Sequence, residues 1–182
     1  MKKFLLIVSI VIVAGGIVAG CSMGKQSSNS NRSSTSKGLK DEVKVTVNEA
    51  VDVYEKKFPG INVLSVELKE EMGKPLYIIE GADDTTEYQL NINAVNKKIK
   101  QKSEEPVDED DLNEVKTKKL DIDKVISLKK AAQIAEKETN GGQGSEFKLE
   151  KEHGTNIWEV SVKDREIIIN AETGKVVKVD DD

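Results

Sequence analysis

Ile92-Asn93-Ala94 and Ile169-Asn170-Ala171 are one tripeptide written twice, and the sequence around them repeats with it. The shift of 77 positions that superposes them also places Leu90 on Ile167 and Ile99 on Val176. Further upstream the shift is 81: Val47 falls on Leu128, Ala50 on Ala131, Val51 on Ala132 and Tyr54 on Ala135. The same shift sets Val66 on Phe147, Leu68 on Leu149, Gly73 on Gly154 and Tyr77 on Trp158. Between the two shifts lies a single indel, because Gly81 to Thr86 makes a longer loop than Lys163-Asp164. One gap inside one loop is the mark of a duplicated module.

Each copy opens with a helix. Thr46-Val47-Asn48-Glu49 is a capping box, and Val47, Ala50, Val51, Tyr54 and Phe58 then fall on one helical face. Phe58-Pro59-Gly60 ends it, since proline disfavours a helical residue before it and glycine permits the reversal. In the second copy Ser127 caps, Leu128, Ala131, Ala132 and Ala135 form the stripe, and Asn140-Gly141-Gly142 stops it. Lys130 stands where Glu49 stood, so that cap is simpler. Strands follow: Leu64, Val66 and Leu68 alternate with Ser65, Glu67 and Lys69, a half-buried pattern. Leu76 to Glu80, Tyr88 to Ile92 and a short strand near Ile99 complete the first copy. Phe147/Leu149, Trp158/Val160/Val162, Ile167/Ile169 and Val176 complete the second. The predicted fold is α+β: two tandem modules, each one helix packed across a small antiparallel sheet. Modules of this size only marginally repay folding, so the two are expected to pack together or to rely on a partner.

A capped helix ending near Pro-Gly, a Val-x-Leu strand, an aromatic-led strand and a final Ile-Asn-Ala hairpin resemble the PepSY domain, in both copies, over about Val45 to Val179. Asn170-Ala171-Glu172-Thr173-Gly174-Lys175 is close to the family's last hairpin. Asn93-Ala94-Val95-Asn96-Lys97-Lys98 has lost its threonine and glycine. The resemblance implies a cystatin-like module of the kind found in metallopeptidase propeptides and in envelope proteins, some thought to restrain peptidases. With no peptidase domain adjoining, such restraint would act in trans. Fold alone does not carry activity.

The amino terminus states an address. Lys2 and Lys3 precede an apolar stretch from Phe4 to Val18, and Val18-Ala19-Gly20-Cys21 resembles a lipobox with valine in place of leucine. Residues 1–20 therefore read as a lipoprotein signal peptide, with an uncleaved signal anchor as the alternative. By resemblance, Cys21 receives a diacylglycerol thioether, palmitate-type acylation whose paired chains, at about 0.8 kcal/mol per methylene, hold a protein on a membrane. Residues 21–38 form a serine-rich tether. Residues 39–102 are PepSY-like module 1, 103–119 an acidic linker and 120–182 PepSY-like module 2. Glu104, Glu105, Asp108, Glu109, Asp110 and Asp111 lack the ligand alternation and central glycine of a calcium loop, so the linker reads as solvated.

Composition narrows the chemistry. The formal charge is −5, made more negative by loss of Lys2 and Lys3, and no basic stripe is present, so nucleic acid is excluded as a partner. Cys21 is the only cysteine, leaving no thiol for disulfides, metal or catalysis once it is acylated. Arg32 and Arg165 are the only arginines, a usage that points to an AT-rich, low-GC Gram-positive host. His153, the sole histidine, is paired by the repeat with Met72 beside a turn glycine and reads as a turn residue. Without a second histidine or a free thiol, nucleophilic triads and ordinary zinc sites are excluded. No enzymatic activity, cofactor or metal is expected. Trp158 and Tyr77 read as core, with a ligand-binding wall as the alternative, and Lys97, Lys98 and Lys100 as an exposed strand edge blunted by charge. The expected function is that of a lipid-anchored module on the outer face of the cell membrane. Its partner would be an envelope protein, a peptidase among the candidates. A sensor of a small ligand or peptide bound between the repeats, and a passive structural lipoprotein, are the alternatives.

Overall fold

Helix α1 (Leu39–Glu42) leads into α2 (Val47–Lys57) and strands β1 (Asn62–Glu71), β2 (Lys74–Ala82), β3 (Thr86–Asn93) and β4 (Ile99–Pro106). Helix α3 (Leu112–Thr117) and a 3-10 turn (Ile122–Lys124) connect to α4 (Leu128–Glu138), β5 (Gly144–Glu152), β6 (Thr155–Val162), β7 (Arg165–Asn170) and β8 (Val176–Asp181). The computed structural model describes residues 38–108 and 112–181.

Both helices start where their caps require. The Thr46 hydroxyl accepts from the Glu49 amide at 3.2 Å while the Glu49 carboxylate accepts from the Thr46 amide at 2.8 Å. Ser127 makes only the forward bond, accepting from the Lys130 amide at 3.3 Å. Val47, Ala50, Val51 and Tyr54 are buried along α2, and Leu128, Ala131, Ala132 and Ala135 along α4, at the predicted spacing.

The two predicted sheets are one. Strand order is β4-β3-β2-β1-β5-β6-β7-β8, antiparallel throughout, and the copies join where β1 pairs with β5. Val66 lies opposite Leu149 and Leu68 opposite Phe147, whereas the repeat equates Val66 with Phe147 and Leu68 with Leu149. That crossed pairing is what a twofold axis produces, here a pseudo-dyad through the pair Glu67–Lys148. The core is correspondingly continuous: Tyr54, Leu68, Tyr77 and Ile92 of the first copy belong to the same cluster as Phe147, Leu149, Trp158 and Ile169 of the second. Two marginal modules gain stability by sharing one core.

The segments before α2 and α4 bind the copies further, because each crosses to the other one. Lys40 of α1 pairs with Glu136 of α4, and Gly38 sits against Gln143. At the equivalent place, the Leu120 amide donates to the Val63 carbonyl of β1 at 3.0 Å. Residues 119–123 thereby line a cleft with Asn48, Val51, Asp52 and Glu55 of α2. Leu39 and Leu120, equivalent under the repeat, are both buried in the shared core.

The stretch expected as a solvated acidic linker is more ordered than that. Residues 103–106 belong to β4, with Ser103 opposite Gln89 and Pro106 opposite Thr86. Val115 of α3 is buried with Leu64 and Ala82 on the sheet face away from α2. An edge strand with one side to solvent needs no apolar alternation, so its sequence carries no strand signal.

Candidate functional site

Tyr77 and Trp158 are 1% exposed. The Tyr77 hydroxyl donates to the Val45 carbonyl at 2.9 Å, and the Trp158 indole N–H donates to the Ile126 carbonyl at 3.1 Å. Val45 and Ile126 each immediately precede a helix cap, so the two rings are equivalent props between sheet and helix start. They are core, as expected. His153 and Met72 both occupy left-handed backbone (φ 49° and 51°) before a glycine of positive φ, the geometry of a two-residue hairpin turn. Lys97, Lys98 and Lys100 are exposed beside the free edge, and Lys97 pairs with Glu49 at 2.8 Å. The hydrogen bond from Lys97 holds the Glu49 carboxyl down at about 2, with help from the Thr46 amide and hydroxyl. Cys21, the leader and the tether lie outside the described residues. Among the described residues no group of His, Cys, Asp or Glu could hold a metal, and no helix is long and apolar enough to cross a membrane.

The region of unusual electrostatics is the sheet face opposite α2 and α4, where β1 meets β5. Direct partners there are Ser65–Glu150, Glu67–Lys148 and Lys69–Glu146, with Glu80 and Glu159 on the flanking strands. The Ser65 hydroxyl donates to Glu80 at 2.9 Å, Lys148 pairs with Glu150 at 2.9 Å and Lys69 with Glu67 at 2.8 Å. Burial raises the Glu80 carboxyl against the opposing hydrogen bond from Ser65. Burial, then the hydrogen bond and charge of Glu67, raise Glu146. Burial and the neighbouring charge of Glu150 push Glu159 up to about 7. Burial pulls the Lys148 ammonium down, but Glu150, Glu159 and Glu80 outweigh it and leave Lys148 raised. Five carboxyls thus share two ammoniums across the seam, and one of those carboxyls sits near neutrality, the kind of perturbation that gathers at functional sites.

Sequence reasoning placed Ser65, Glu67 and Lys69 on the polar side of a strand but did not find this cluster. Its members come from β1, β2, β5 and β6, and only the register of β1 against β5 brings them together. On the helix side, a groove of about 460 Å³ lies between the copies, lined by Val43, Val47, Tyr77, Ile126, Leu128 and Lys129 among others.

The peptidase propeptide and YPEB domain, PepSY, matches residues 44–100 and 125–180. This chain belongs to the PepSY family. The matches begin at equivalent points, Lys44 and Val125, so the crossing segments that hold Leu39 and Leu120 lie outside the PepSY modules they join. Similar to the whole is the crystal structure of a candidate lipoprotein from Clostridium difficile 630. It is 27% identical, with a TM-score of 0.73, over 79% of this chain and 97% of that one. Among curated proteins none matches.

Proposed function

We propose that this chain is a lipoprotein tethered through Cys21 to the outer face of the cell membrane. There its paired PepSY modules act as a protein-interaction unit that restrains an envelope peptidase in trans. The observation that carries this reading is the family itself: both copies are modules of the peptidase propeptide type. The likeness to a candidate lipoprotein supports the anchored placement, together with the lipobox-like Val18-Ala19-Gly20-Cys21. The acidic seam supports a partner segment bearing lysine or arginine, since opposite potentials steer and orient association. The test is peptidase activity in the envelope fraction with and without this chain. Expected is a fall in activity on adding the wild-type chain that is lost when Glu146 and Glu159 are both changed to lysine. Unchanged activity in every condition would refute the inhibitory role. For the anchor, Cys21→Ala should release the chain from membranes or leave the leader attached.

The groove between the copies favours a second reading, in which a small ligand or peptide binds beside Tyr77 and the modules act as a sensor. Its sign would be a ligand-dependent rise in thermal midpoint that Val47→Trp, which fills the groove, abolishes.

A further inference from the structure

The two ends of the sheet are chemically unlike. Strand β4 is polar at every position between Ile99 and Pro106, and Lys102 there pairs with Glu104 and lies 5.3 Å from the Phe58 ring centre. Charge and a terminal proline blunt that edge against strand addition. Strand β8 presents Val177 at 64% exposure and Val176 and Val179 at 36% each, and no strand among the described residues pairs with its outer side. Val179 lies opposite Ile167, on the helix-covered side, while Lys178 and Asp180 lie opposite Ile168 and Glu166 on the other.

We infer that the outer edge of β8 docks a second copy of this chain, β8 against β8, antiparallel and centred on Val179. In that register Val179 faces Val179, Lys178 of each copy faces Asp180 of the other, and Val177 faces Asp181. Lys178 and Asp180 already pair within one strand at 2.6 Å, so the contact makes a ring of four charges alternating in sign. A strand whose charges read as their own complement about a central apolar residue fits a copy of itself, and a closed twofold contact uses the same patch on both partners. Cross-strand pairs of opposite charge and of β-branched residues stabilise such a register, and like charges directly opposite destabilise it. This goes beyond the proposed function and does not depend on it.

The test uses the full chain, with Val179→Cys and a mild oxidant. Residues directly opposite across antiparallel strands are about 4.5–5.5 Å apart at Cα, within disulfide reach. The expected result is a species of twice the chain mass, on the order of ten-fold above the wild type, Met72→Cys and Ser103→Cys, since only position 179 is held against its twin. In the Val179→Cys background, Lys178→Glu or Asp180→Lys alone should lower that yield roughly five-fold, and the two together should restore it. The inference is overturned if the Val179→Cys chain links no better than the Met72→Cys chain. It is equally overturned if the double change fails to restore the link, or if the linked species has a mass showing a different protein on the edge.

Discussion

The two copies meet at Glu67 and Lys148, and there they carry opposite charges. The repeat makes these residues equivalent, and the pseudo-dyad sets them directly opposite one another across β1 and β5. Two identical copies would place like charges face to face at this point, which antiparallel pairing penalises. Here one copy carries the acid and the other the base. Two residues along β1, Lys69 lies opposite Glu146, a second pair of opposite charges across the seam. At the one position on the dyad, the copies have diverged where symmetry would have been costly. The rings that prop each helix, Tyr77 and Trp158, changed in size but kept the same hydrogen bond.

The largest losses are expected in the crossing segments. Leu39→Ala and Leu120→Ala should each cost about 2–4 kcal/mol in urea unfolding, as truncation of a buried leucine does. The informative readout is where protection is lost. Hydrogen exchange should quicken in α4 for Leu39→Ala and around α2 for Leu120→Ala, each in the copy that did not supply the leucine. Exchange confined to the mutated copy would refute the crossing.

Restoring symmetry at the dyad comes next. Lys148→Glu puts like charges opposite and strips Glu150, 8% exposed, of its partner, for an expected loss of about 2–3 kcal/mol. The exchange Glu67→Lys with Lys148→Glu should recover the cross-strand part of that loss. A double variant no better than the single would mean the Glu150 pair alone matters.

A smaller contrast lies in the last hairpins. Gly174 and Lys97 occupy equivalent left-handed positions (φ 72° and 62°). Gly174→Lys should cost about 1–2 kcal/mol, because a side chain there is strained and its Cβ would come 3.3 Å from Ile134. Lys97→Gly should change stability by less than about 0.5 kcal/mol, because the relieved strain is offset by a lost exposed ion pair with Glu49. Thermal midpoints of the two variants give the comparison.

The gentlest probe is pH. Glu159, pressed by burial and by Glu150 and Glu166 with Lys148 opposing, titrates near 7 in the folded chain, above its unfolded value of about 4.3. The folded state binds that proton more tightly, so the stabilisation is complete below about 4.3 and is lost as pH rises through 7. Glu49 behaves oppositely: held near 2, it stabilises above about 4.3 and its contribution is lost as pH falls toward 2. Thermal midpoints should therefore decline from pH 5 to 8 in the wild type and stay flatter in Glu159→Gln. An equal slope in both would remove Glu159 from the account.

Much of this architecture was legible in the chain. Thr46 with Glu49, the stripes from Val47 and Leu128, and the turns at Met72-Gly73 and His153-Gly154 are short-range patterns, each decided by residues within a few positions. The acidic segment was misread because a solvent-facing edge strand and a short helix resting on Val115 leave almost no periodic trace. The charge cluster was not legible at all, since its acids run from Glu67 to Glu159 and lie on four strands.

The repeat, its local elements and the PepSY likeness could be read along the chain, because they depend on neighbouring residues; the lipobox-like stretch before Cys21 gave an expectation of anchoring in the same way. Only the tertiary structure decided that two modules become a single sheet, that each lends its leading segment to the other, and that five carboxyls meet at the seam. Those outcomes depend on which strand edge pairs with which, and in what register. The free energy that chooses among pairings comes from apolar surface shared between distant parts of the chain.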